Sequence, residues 1–137
     1  MKPETRDVSI LERIIAYCDE IDSTKEYFGD SKEILRTNSI YKNALSMCVL
    51  QIGELTTHLT TNFRSTHTSV PWSDIKKMRD IAAHHYGAFS VDFLWDTVTD
   101  DITVLRSYCR ACIEELRTSD AHAISRRPPR KSPDTTG

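Results

Sequence analysis

Chain-breaking residues are scarce in this sequence. It has four glycines and five prolines in 137 residues, and three of the prolines (Pro128, Pro129 and Pro133) fall in the last ten. With so few breakers inside, long uninterrupted elements are expected. No apolar run approaches the ~20 residues that a membrane-spanning helix needs. No apolar core follows the charged opening Met1–Asp7, so no signal peptide is expected and the cytoplasm is the default location. Strand alternation and internal repeats are also missing. Only four cysteines occur, Cys18, Cys48, Cys109 and Cys112, and each falls at an apolar-periodic position of an expected helix, which suits reduced core thiols. Cys109-x-x-Cys112 has the spacing of half a zinc site, but no second pair or histidine cluster completes four ligands. No metal and no cofactor is therefore expected.

Excess charge of either sign is also small. The formal net charge is -2, but Arg126, Arg127, Arg130 and Lys131 against Asp134 give residues 121–137 a local +3, leaving the body near -5. Non-specific affinity for nucleic acid comes from Lys and Arg neutralising phosphates. An acidic body is thus a poor general polyanion binder, and any RNA contact must be local or assisted by the tail or a partner.

What is present is helical periodicity. A first helix is expected from Ser9, with Glu12 at capping-box spacing, to about Phe28, with Leu11, Ile14, Ile15, Cys18 and Ile21 on one face. Gly29-Asp30-Ser31 breaks it, and Ser31 can cap a long second helix over 31–64. There Tyr41, Leu45, Cys48, Ile52, Leu55 and Leu59 step by four and three. Gly53 inside that helix marks close approach of a neighbour. Pro71-Trp72-Ser73 opens a short third helix over 73–84, with Ser73 as its cap. Ser90 caps a fourth, striped by Leu94, Val98, Ile102, Leu105, Cys109, Cys112 and Leu116. Asp92, Asp96 and Asp100 in its opening turns suit the helix dipole and read as a solvated face. The expected fold is all-α, an antiparallel four-helix bundle over residues 1–118, followed by a basic, proline-rich, disordered tail over 119–137.

On a helical wheel the third segment gathers Ile75, Met78, Ile81, Ala82 and His85 on one face, with Tyr86 at its margin. Asp80 and His84, four apart, lie opposite, with Arg79 near the border. Two readings are open on spacing alone. One is an exposed Asp–His pair worth a few tenths of a kcal/mol to the helix. In the other, Asp80 orients His84, His84 moves protons near neutral pH, and Arg79 grips a phosphate.

Arg79-x4-His84-x-Tyr86 resembles the Arg-x4-His-x-Tyr motif of the HepT-like HEPN proteins, the toxin half of HepT/MntA-type modules. The likeness extends to Gln51-Ile52-Gly53-Glu54-Leu55, to Phe63, His67 and Val70-Pro71-Trp72, and to Asp92-Phe93-Leu94-Trp95-Asp96-Thr97-Val98 with Asp100-Asp101-Ile102. It covers roughly residues 8–117. The family commonly has Asn where this chain has Asp80, which can still accept a hydrogen bond from His84 but would repel an RNA phosphate.

The resemblance implies a metal-independent endoribonuclease acting on RNA, tRNA by analogy, built as a homodimer with the motif helices facing each other. Arg79 would bind the scissile phosphate, His84 would act as acid or base in attack by the ribose 2′-hydroxyl, and Asp80 and Tyr86 would support them. It also implies a partner, an MntA-like nucleotidyltransferase antitoxin that adenylylates Tyr86. The alternatives are a non-catalytic HEPN binding module that partners a nucleotidyltransferase, and a helical adaptor without a site. The basic tail either touches RNA or is simply solvated.

Overall fold

The computed structural model describes residues 3–70, 72, 75–77, 79–80 and 90–126, with only the backbone described for 3–4 and 119–126. The chain is all-α, and no strand occurs among the described residues. α1 spans Pro3–Phe28, α2 Lys32–Thr37, α3 Ser39–Thr56 and α4 Thr61–Thr66. After the segment carrying Arg79 come α5, Val91–Asp96, a π-helical turn, Thr97–Asp101, and α6, Ile102–Arg126.

α1 begins six residues before Ser9, so the expected capping box does not form. A proline suits a first helical turn, because its missing N–H is unpaired there anyway. Ser9 lies exposed inside the helix, and Glu12 pairs instead with Arg117 on α6 at 2.7 Å. α1 ends at Gly29, whose φ of 120° is open to glycine and strained for other residues. Ser31 does sit at the cap of α2, but its side chain makes no capping hydrogen bond.

The long helix expected over 31–64 is three helices. Asn38 interrupts it first, its side-chain oxygen accepting from the backbone N–H of Ile40 and of Tyr41. The second break, at 57–60, is held from afar. Asp7 accepts from Thr60 N–H at 2.9 Å and from its hydroxyl at 2.7 Å, while Thr60 Oγ1 accepts from Phe63 N–H and caps α4. The expected stripe survives both breaks: Tyr41, Leu45, Cys48, Ile52, Leu55 and Leu59 are all buried.

Ser90 caps α5 as expected, accepting from Phe93 N–H. The stripe from Leu94 to Cys112 is buried, although the π turn interrupts what was read as one helix. α6 continues to Arg126, so the helix runs past the position where the tail was expected to begin. Residues 127–137 lie outside the described residues.

Two sets of contacts fix the packing directions. Phe28, ending α1, stacks on Tyr41, near the start of α3, with ring centroids 4.9 Å apart, and Asp7 near the start of α1 reaches Thr60 beyond the end of α3. α1 and α3 are therefore antiparallel. Likewise Arg106 on α6 bonds Asp19 and Asp22, whereas Arg117, later on α6, bonds the earlier Glu12. α6 is antiparallel to α1 as well. Leu11, Ile14, Cys18 and Ile21 of α1 are completely buried between these two neighbours. All four cysteines are free, buried core thiols.

Candidate functional site

The segment bearing Arg79 enters over a stapled loop. Trp72 donates from Nε1 to the carbonyl of His67 at 2.8 Å, and its ring leans on Phe63 at 6.0 Å. His67 stacks on Phe63 at 4.1 Å and meets Tyr108 of α6 edge-on. Ser69 donates to the Tyr108 hydroxyl at 2.7 Å. His67 is thus a packing element that anchors the loop to α6. Ser73, the expected cap, lies outside the described residues, while Trp72, residues 75–77 and residues 79–80 are helical.

Gly53 then sets the distance between this segment and α3. A methyl group at Gly53 would run into the Cβ of Arg79, with the Arg79 Cγ at 3.1 Å and its Cα at 3.2 Å. The neighbour expected at Gly53 is therefore the motif segment, seated at Arg79 itself.

Directly beside that contact, Glu54 Oε2 accepts from Arg79 Nε at 2.8 Å, and Asp80 Oδ1 accepts from Arg79 Nη1 at 2.9 Å. The other oxygen of Glu54 faces His58 Nε2 at 3.6 Å. The two carboxylates raise the Arg79 guanidinium above its ordinary pKa, mainly through the hydrogen bonds it donates to Asp80 and Glu54, so it stays cationic. Among the described residues two of its five N–H donors are committed, to Glu54 and Asp80, and three have no partner there. Its side chain is 32% exposed, so an external phosphate can reach it. The arrangement aims a guanidinium rather than leaving it free to rotate.

Of the residues expected at the site, Arg79 and Asp80 are thus adjacent and bonded to each other. His84, His85 and Tyr86 lie outside the described residues. Glu54 was quoted from the sequence only as part of a longer string. No spacing rule could single it out, because its role depends on which helix crosses at Gly53. His58 joins the site through Glu54.

Other reactive groups lie elsewhere. Burial pushes the thiols of Cys48 and Cys109 up to about 12 and that of Cys18 to about 11, so none is a ready nucleophile near neutral pH. Asp92 pairs with Lys32, whose bond and charge hold its carboxyl below the usual range. No group of three or more His, Cys, Asp or Glu among the described residues is placed to hold a metal ion.

Comparison with known proteins places the chain in a family. A family model described as "Ribonuclease HepT-like" matches residues 14–112. A protein of Methanocaldococcus jannaschii named "Putative RNase" is 30% identical over 115 residues, 81% of this chain and 95% of its own. Another, named "Putative RNase", from Caldanaerobacter subterraneus subsp. tengcongensis, is 27% identical over 105 residues, 77% and 92% of the two chains. A "Probable ribonuclease HepT" of Thermococcus cleftensis is 36% identical over 55 residues, 40% of this chain and 50% of its own. No solved structure matches.

Proposed function

This chain belongs to the HepT-like ribonuclease family, and on that premise we propose that it is a metal-independent HEPN endoribonuclease, the toxin of a toxin–antitoxin module. The observation that carries the reading is the seating of Arg79. The first residue of Arg79-x4-His84-x-Tyr86 is packed on a glycine and aimed by Glu54 and Asp80, and its other donors have no partner among the described residues.

In this reading Arg79 holds the scissile phosphodiester and offsets the charge that builds on its oxygens. His84 takes the proton from the ribose 2′-hydroxyl. The 2′-oxygen then bonds to phosphorus, the bond to the 5′-oxygen breaks, and a proton delivered to that oxygen leaves a 2′,3′-cyclic phosphate and a 5′-hydroxyl. Each chain carries a single His84, so a homodimer supplies the second histidine as the acid. RNA, with tRNA the first candidate, is the substrate.

The partner is an MntA-like nucleotidyltransferase antitoxin. The Tyr86 hydroxyl attacks the α-phosphorus of ATP, pyrophosphate leaves, and the tyrosine carries AMP. A bulky anion at the mouth of the site then blocks and repels RNA.

A second reading has one observation in its favour: both described partners of Arg79 are carboxylates, which would oppose a phosphate. A non-catalytic HEPN module that docks the same nucleotidyltransferase would tolerate that arrangement. Expression in cells separates the two readings. Growth arrest that His84→Ala relieves supports the ribonuclease, and harmless expression together with tight binding of the nucleotidyltransferase supports the module. Adenylylation by the antitoxin that leaves Tyr86→Phe as modified as wild type would overturn the assignment of Tyr86.

A further inference from the structure

The helical segment that presents Arg79 is flanked by two hollows. On its Ile75 side lies an apolar one, bordered by Phe93, Leu105 and Tyr108. On its Lys76 side lies a groove of about 480 Å³ lined by Thr57, Thr61, Arg64, Ser65, Trp72 and Lys76. We propose that this second groove is a subsite for a single RNA strand. Arg64 and Lys76 hold a phosphodiester next to the scissile one, and Thr57 and Ser65 accept from the ribose 2′-hydroxyl. Its ligand class rests on the ribonuclease reading; its geometry does not.

The cations come first. Arg79, Arg106 and Arg117 are each held by carboxylates. Arg64 and Lys76 make no ion pair among the described residues, and the buried Nε of Arg64 has no hydrogen-bond partner there. Two positive groups with no ion-pair partner among the described residues, in one concave site on a body near -5, make a local anion site where the surface as a whole is repulsive.

Lys76 precedes Arg79 by three residues, about 4.5 Å along a helix axis. A strand whose scissile phosphate sits on Arg79 can therefore continue into the groove.

The hydroxyls supply the discrimination. Thr57 Oγ1 donates to the Glu54 carbonyl at 2.7 Å and Ser65 Oγ to the Asn62 carbonyl at 3.0 Å. With their protons engaged, both oxygens present lone pairs, which suit a donor such as a ribose 2′-hydroxyl and not a phosphate. The Thr61 hydroxyl, with no internal partner among the described residues, remains free to donate to phosphate. Trp72 forms one wall, its ring held by the bond to His67, and offers a face for a base.

The test uses full-length His84→Ala protein, so that bound RNA stays intact, and labelled oligouridine and oligodeoxyuridine of equal length. Fluorescence anisotropy is read across a salt series. RNA is expected to bind more tightly than DNA. Arg64→Gln and Lys76→Gln should each weaken RNA binding several-fold and flatten the slope of log affinity against log salt by about 0.7, whereas Arg13→Gln on the exposed side of α1 leaves the slope unchanged. Lys76 is exposed, so that variant stands even if Arg64→Gln misfolds.

An unmoved slope for Lys76→Gln, equal affinity for RNA and DNA, or no RNA binding at all would overturn the subsite. If wild-type protein still cleaves RNA through His84 when the slope is unmoved, the subsite alone has failed. If the slope falls as expected while wild type cleaves nothing, the subsite stands and the ribonuclease reading has failed.

Discussion

Replacing Gly53 by alanine would add one methyl group to a helix interior, where propensity alone favours alanine by about 0.8–1 kcal/mol. Arg79 lies in that space, so the motif segment must move outward and carry its guanidinium with it. A displacement of about 1 Å in a positioning residue can cost about a hundredfold in rate. Gly53→Ala is therefore expected to cut RNA cleavage by roughly that factor while circular dichroism still reports a helical protein; wild-type cleavage would mean that Arg79 needs no seat.

At the same scale, burial raises the pKa of Cys18, Cys48 and Cys109 above the ordinary thiol value of 9.0. A raised folded-state pKa contributes stability that is whole below the unfolded value and is lost as pH rises toward the folded one. The urea midpoint should fall as pH climbs from about 8 to about 10.5, and thiol reagents should label the native chain slowly and the unfolded chain fast. Gly53 was legible in the sequence, because a glycine inside a strong helical stripe needs a reason. Glu54 was not, because its partner is 25 residues away and charged residues on a helix usually face water.

Among the elements, the apolar stripes were legible and the breaks were not. Tyr41 through Leu59 keeps a helical period straight across the end of α3, so periodicity could not register the turn at 57–60. That turn is set by Asp7, 53 residues earlier. Asp7 is buried, and both its oxygens are bonded to Thr60. Asp7→Ala should cost about 2–3 kcal/mol in urea unfolding, the range for charge-assisted bonds together with stranded, half-buried donors on Thr60. A loss below about 0.5 kcal/mol would show the turn to be held by its own sequence, since substitutions away from such features stay within that range. Ser9-x-x-Glu12 misled for the opposite reason, as a capping pattern that lies inside a helix already begun at Pro3. The polar signal at Asn38 was present in the sequence and was outweighed by the apolar stripe around it.

In the described part of the molecule α3 and α6 pack on α1, and Arg79 is laid against the C-terminal end of α3. No helix among the described residues is long and apolar enough to cross a membrane. The all-α fold and the family followed from periodicity and from the residues flanking the motif, but the way Arg79 is held followed only from packing. Arg79 thus gains a physical base, a glycine seat and two aiming carboxylates, and the central claim is that this seat serves cleavage.

The most direct measurement incubates purified protein with total RNA in excess EDTA, comparing wild type with Arg79→Ala and His84→Ala. The expected result is cleavage by wild type that persists in EDTA, leaves 2′,3′-cyclic phosphate ends and falls by at least about a hundredfold in both variants, the scale lost with a general acid–base or oxyanion-stabilising group. Cleavage abolished by EDTA, or retained by either variant, would contradict it.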